Sequence, residues 1–140
     1  MIGILLLTHG TLGESLIQCC CHVLNRRPEQ IAQLGVSSQD DPLDLLPAAQ
    51  KWLASVEGGE GVIVLTDIYG ATPSNVAMKL LKAGQVEAIA GVNLPMLLRI
   101  LTYRDKSDIQ TVIQKAISGG CDGVLHMKGT QEQHNATRRS

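Results

Sequence analysis

The amino-acid sequence predicts a doubly wound α/β domain with a mostly parallel sheet. Two observations carry this. Residues 2–7 and 61–66 are apolar runs without polar alternation, the pattern of strands covered on both faces. Helix-period segments separate these runs from shorter apolar ones, and strands alternating with helices favour right-handed crossovers in one sheet. One domain accounts for the 140 residues.

The first strand, 2–7, leads into Thr8-His9-Gly10, and Thr11 with Glu14 then spells a capping box opening a helix over 12–25. Leu12, Leu16, Cys20 and Leu24 form its apolar stripe, with Asn25 and Pro28 as the stop. Residues 31–36 are the second strand, followed by a polar loop over 37–40. The second helix has two candidate starts. Asp41-Pro42 would leave Pro47 deep inside, so a start at Asp44 is preferred, placing Pro47 in the first turn. Ala49, Leu53 and Val56 face the core there, and Gly58-Gly59 end it. Strand 61–66 ends at Asp67. After the loop Ile68-Tyr69-Gly70-Ala71, Thr72 reads as N-cap and Pro73 as the first helical residue. Val76, Leu80 and Leu81 mark that third helix, and Gly84 stops it. A fourth strand, 86–92, ends in Asn93-Leu94-Pro95, and a fourth helix holds Met96, Leu97, Ile100 and Leu101. Ser107 opens a fifth, with Ile109, Val112, Ile113, Ala116 and Ile117 inward and Gly119-Gly120 closing it. Residues 123–127 read as a last short strand and 129–140 as a polar, disordered tail, so the domain spans 1–128. With the first strand central, beside the third, the order is flavodoxin-like, 2-1-3-4. The chain then diverges between strands one and three, opening a crevice at their carboxyl ends.

Composition removes several function classes. The net charge is −1, no cluster of Lys or Arg would track a phosphate backbone, and the aromatics are only Trp52, Tyr69 and Tyr103. Nucleic acid is therefore not an expected partner. The N-terminus lacks the basic start of an export signal, and no apolar run approaches the ~20 residues that span a bilayer. The expectation is a soluble, cytoplasmic protein without membrane insertion. Four cysteines are too few and too oddly placed for a secreted disulfide framework. Cys19-Cys20-Cys21-His22 is not expected to bind metal, since consecutive helical residues point about 100° apart. Cys20 fits the buried stripe, and Cys121 reads as a buried small residue. His126 and His134 have no visible partner, and Arg99 and Arg104, flanking the fourth helix, read as surface residues.

His9 and Asp67 both fall at the crevice. A carboxylate accepting from one imidazole nitrogen leaves the other lone pair free and steadies the cation formed on attack. His9 with Asp67 is thus an oriented nucleophile. Amides near Gly10 and Thr11, and at Thr72 and Ser74, lie at two helix N-termini, which favour anions. The Thr72 hydroxyl adds a donor, and Gly10 and Gly70 allow close backbone approach. These features suit an incoming phosphoryl group.

The same residues resemble the IIA components of the mannose-type sugar phosphotransferase system. Thr8-His9-Gly10 is similar to that family's phosphohistidine motif. Asp67-Ile68-Tyr69-Gly70-Ala71-Thr72-Pro73-Ser74-Asn75 is similar to its Asp-x-x-Gly-Gly-Ser-Pro-x-Asn segment, with Ala71 and Thr72 in place of Gly and Ser. Gly91-Val92-Asn93-Leu94-Pro95-Met96-Leu97 resembles a third block, and the likeness runs from Met1 to about Met127. It implies that His9 accepts a phosphoryl group on Nε2 from phospho-HPr and that Asp67 orients the ring. It further implies that Thr72 helps hold the phosphoryl oxygens and that a IIB component on another polypeptide receives the group. No cofactor is implied; a homodimer that exchanges the last strand is. Two other readings stay open: a regulatory protein whose His9 phosphorylation state is sensed by a partner, and the phosphotransfer subunit of a dihydroxyacetone kinase.

Overall fold

The computed structural model describes residues 1–129. Its centre is an all-parallel sheet of order β2-β1-β3-β4, formed by β1 (Gly3–His9), β2 (Ile31–Val36), β3 (Val62–Thr66) and β4 (Val86–Ala90). Helices cover both faces, as the sequence predicts. Ile4, Leu6, Ile63 and Leu65 pack toward α1 (Leu12–Leu24), α4 (Leu94–Tyr103) and α5 (Ile109–Asp122). Leu5, Leu7, Val62 and Val64 pack toward α2 (Pro42–Val56) and α3 (Thr72–Met78). Side chains alternate along a strand, so two covered faces demand an unbroken apolar run. Every residue from Ile2 to Thr8 is buried, which makes β1 the axis of the domain.

Several element ends differ from the sequence reading. The capping box at Thr11 does not form: Thr11 makes no side-chain cap, and Glu14 faces Arg27 at 3.4 Å. The buried stripe of α1 is Gly13, Ile17 and Cys20, with Leu12 exposed, because the helix seats on β1 through Gly13. Asn25 ends it in the left-handed conformation, as expected.

Helix α2 begins at Pro42, with the Asp41 side chain accepting from the Leu43 amide at 2.9 Å, so the preferred start at Asp44 is overturned. Pro47 lies inside the helix. Leu43 and Pro47 are both exposed, which leaves the unpaired Leu43 carbonyl to water.

The N-cap of α3 is Ala71, one residue earlier than expected, with Thr72 and Pro73 as its first two residues. It ends at Met78, well before Gly84, and Leu81 is exposed. Strand β4 stops at Ala90, because Gly91 and Val92 both donate to the Thr66 carbonyl. Asn93 then caps α4, accepting from Met96 at 2.9 Å.

Asp108 rather than Ser107 caps α5, which runs through Gly119-Gly120 to Asp122. Those glycines are not a stop; they are space. A Cβ at Gly120 would lie 2.9 Å from Met96 Cε, and one at Gly119 3.0 Å from Arg99 Cβ, so packing against α4 outweighs about 1 kcal/mol of helix propensity at each. Among the described residues, 124–128 pair with no strand, and Val124, Leu125 and Met127 are exposed. The expected last strand is thus absent from this sheet, and among the described residues nothing pairs with the outer edge of β4. Apart from Gly129, the expected tail lies outside the described residues.

Candidate active site

The register pairs Leu6 with Leu65, so the chain ends that follow β1 and β3 emerge side by side. His9 is the last residue of β1, and Asp67 the first after β3. Asp67 Oδ2 accepts from His9 Nδ1 at 2.9 Å and from the His9 backbone N–H at 2.9 Å, while Oδ1 accepts from the Ile68 N–H at 3.0 Å. A carboxylate only accepts, so the ring proton sits on Nδ1 and the Nε2 lone pair is left free. The His9 side chain is 51% exposed and that of Asp67 only 15%. Burial is the largest influence on the Asp67 carboxyl and pushes its pKa up. Hydrogen bonds from the His9 backbone and ring, a backbone amide and the His9 charge together outweigh burial and hold it below its ordinary value. The carboxylate is therefore charged and the imidazole oriented.

The loop after β1 is tightly tied. Gly10 adopts φ +54°, a conformation that costs glycine little, and its N–H donates to the Val36 carbonyl at 2.8 Å. Its own carbonyl lies so close over β2 that a Cβ at Gly35 would stand 2.1 Å from it. Among the described residues the N–H groups of Thr11 and Leu12, at the start of α1, meet no acceptor.

The loop after β3 is held from within. The Ser74 hydroxyl accepts from the Gly70 N–H at 2.8 Å and donates to the Ala71 carbonyl at 2.9 Å. Ser74 is buried, so its side chain serves the loop, whereas Thr72 is exposed at the N-terminus of α3. The apolar side chains of Leu12, Ile68 and Tyr69 stand exposed on the two loops. A cavity of about 470 Å³ lies at the other end of the sheet, between α2 and α3 where β4 begins, remote from His9.

Against known families, residues 3–117 match the model of the EIIA-man family, described as the PTS system fructose IIA component. The chain belongs to this family. It is 29% identical over 129 residues to the PTS system mannose-specific EIIAB component of Escherichia coli K12, covering 91% of this chain but 40% of that protein. The chain thus spans about two-fifths of the length of that relative. Two solved structures share the fold. The phosphotransferase system component EIIA from Streptococcus agalactiae has a TM-score of 0.80 at 22% identity, covering 90% of this chain and 97% of its own. The PTS IIA protein associated with the fucose utilization operon of Streptococcus pneumoniae has a TM-score of 0.73 at 21% identity, covering 94% of each chain.

The remaining singled-out residues of this IIA chain lie elsewhere. Arg104 is buried, not on the surface: its guanidinium donates to the carbonyls of Ile2, Glu29 and Gln30, where β1 and β2 begin. Arg99 is half-buried against Gly119. Cys121 is exposed rather than buried, and Cys20 is buried as its stripe position implies. Burial, and then Cys19 and Cys21, pushes the Cys20 thiol up to about 11, which keeps it protonated and inert. His126 is exposed, and His134 lies outside the described residues. Among the described residues, no helix is long and apolar enough to cross a membrane.

Sequence reasoning missed Thr8, Gly13 and Gly35. One signal was available, since glycine inside an apolar strand marks a close backbone approach.

Proposed function

We propose that this IIA chain is a phosphoryl carrier in sugar uptake. His9 accepts a phosphoryl group from phospho-HPr on Nε2 and passes it to a IIB component. The observation that carries this reading is the 2.9 Å contact of His9 Nδ1 with Asp67 on a ring half open to an incoming protein.

In the forward step the Nε2 lone pair attacks phosphorus in line, a P–N bond forms, and the bond to the donor breaks with its electron pair. The ring becomes cationic, and Asp67, already charged, stabilises it through the Nδ1 proton. The phosphoryl charge spreads over its oxygens, toward the free amides of Thr11 and Leu12, the Thr72 hydroxyl and the amides of Thr72 and Ser74. Gly10 and Gly70 let the backbone come close. Onward transfer is the same displacement in reverse, near thermoneutral, so positioning and electrostatics supply the catalysis and no metal or organic cofactor is required.

The chain works in the cytoplasm as a homodimer, in which residues 123–127 of one copy extend the sheet of the other. The free edge of β4 and the exposed Val124, Leu125 and Met127 support this arrangement. Incubation with phosphoenolpyruvate, enzyme I and HPr should place an acid-labile, base-stable label on His9. Label persisting in His9→Ala would refute the assignment.

A further inference from the structure

Thr8 precedes the reacting histidine in β1, and successive strand residues point to opposite faces. Its side chain is wholly buried, at 0% exposure, yet its hydroxyl has a partner: Oγ1 accepts from the Gly13 N–H at 2.9 Å. That amide belongs to the second residue of α1, one of those a helix cannot satisfy from within. An N-cap side chain ordinarily accepts it, but Thr11, the residue in that place, makes no such bond. The strand caps the helix instead.

This contact requires the helix to sit directly on the strand end. A Cβ at Gly13 would lie 3.1 Å from Thr8 Oγ1, 3.2 Å from Gln33 Cβ and 3.3 Å from Leu6 Cβ, so any larger residue would press on all three and they would have to give by a few tenths of an ångström. Residues 9–12 are therefore a short span clamped at both ends, with the nucleophile at one end and the unpaired Thr11 and Leu12 amides at the other.

We propose that the Thr8 hydroxyl is a positioning group for phosphoryl transfer: by docking the first turn of α1 onto the end of β1, it fixes His9 relative to the amides that face the incoming phosphoryl oxygens. The proposal rests on His9 being the phosphoryl acceptor. Thr8 touches neither donor nor phosphoryl group and acts through the backbone of the loop. Losing the clamp frees the loop by an ångström or so, a misplacement that costs about 100-fold in a positioned reaction.

The test compares Thr8→Val, which keeps the shape and removes the hydroxyl, with Thr8→Ser, which restores it. Purified proteins are labelled from phospho-HPr under saturating and limiting donor, beside wild type and His9→Ala, and thermal melts report folding. Thr8→Val should remain folded and lose about 10- to 100-fold in the saturated rate, with KM for phospho-HPr moving less than about 2-fold. Thr8→Ser should return to within about 3-fold of wild type. Should Thr8→Val not fold, Gly13→Ala crowds the same contact by a few tenths of an ångström and should lower the saturated rate in the same direction with KM unchanged; an unchanged saturated rate there would overturn the proposal. A variant that transfers as fast as wild type, a loss confined to KM, or a serine variant as slow as valine would overturn the proposal. Wild type that takes no label on His9 would sink the carrier reading itself, which is a different result from wild type and Thr8→Val labelling equally fast.

Discussion

Replacing Gly35 with Ala tests whether the backbone under His9 is as tightly held as the structure indicates. The added methyl would stand 2.1 Å from the Gly10 carbonyl oxygen. A relaxed carbon–oxygen contact is about 3.3 Å, so one backbone must retreat by about 1 Å. Neither partner is a flexible side chain: Gly35 is paired with β1, opposite Thr8, and Gly10 is tied to Val36. Overpacking of this kind costs about 1–3 kcal/mol, which lowers the melting temperature of a domain this size by about 3–9 °C. Because the displaced carbonyl directly follows His9, the proposed nucleophile, labelling of His9 at saturating phospho-HPr should slow by about 100-fold. Gly129→Ala is the control, since a Cβ there meets nothing within 4 Å. A Gly35→Ala protein melting within about 1 °C of wild type and labelling within about 2-fold would refute the claim that this approach fixes the loop.

Three further expectations follow from the same geometry. Asp67→Asn removes a charge beside the ring that turns cationic on attack. Such a pair at about 4 Å is worth about 1 kcal/mol in water and about 4 at an effective dielectric of 20, so transfer should slow about 10- to 1000-fold; an unchanged rate would remove Asp67 from the mechanism. The Asp67 carboxyl titrates below its ordinary value once folded, so the unfolded chain binds more protons at low pH. Its stabilising contribution is complete above the unfolded pKa of about 3.9 and lost as pH falls through the folded value. Urea melts should show the gap between wild type and Asp67→Asn narrowing as the pH falls below the unfolded value, and a constant gap would contradict this. Arg104→Met removes the guanidinium from three carbonyls, of which, among the described residues, only that of Gln30 keeps another donor, the Ile4 N–H, and should lower the melting temperature by about 6–12 °C, or about 2–4 kcal/mol, with the labelling rate at saturating donor unchanged. A melt equal to wild type would mean water replaces the guanidinium.

The sheet order and the His9–Asp67 pair were legible because each rests on a pattern wider than one residue. Two apolar runs located the covered strands, and a histidine and a carboxylate at matching carboxyl ends located the crevice. What failed were element ends governed by tertiary contact. Gly119-Gly120 reads as a stop on propensity alone, yet lies inside α5 because α4 presses on both residues. Pro47 reads as a start, yet sits inside α2 because its face is wet. Residues 123–127 carry strand composition, but composition cannot supply the neighbouring strand that pairing needs.

Thr8 and His9 show why the His9–Asp67 pair was easier to read than its support. They are consecutive residues of one strand, so alternation sends one side chain to the crevice and the other inward. A histidine emerging at a sheet edge signals its purpose by residue type. A buried threonine in an apolar run looks like filler, because its hydroxyl matters only through the helix that folds back onto it. The capping signal was written at Thr11 and Glu14, where local spacing is correct, but a first-turn amide, that of Gly13, is instead held by a residue from the preceding element. The helix is seated by Gly13 on the strand, and that seat decides which hydroxyl reaches the amide. Local rules named the right kind of interaction and the wrong acceptor for it. The loop that follows His9 is therefore ordered by contacts between elements, and Thr8→Val bears on that directly, since it changes no residue of the loop itself.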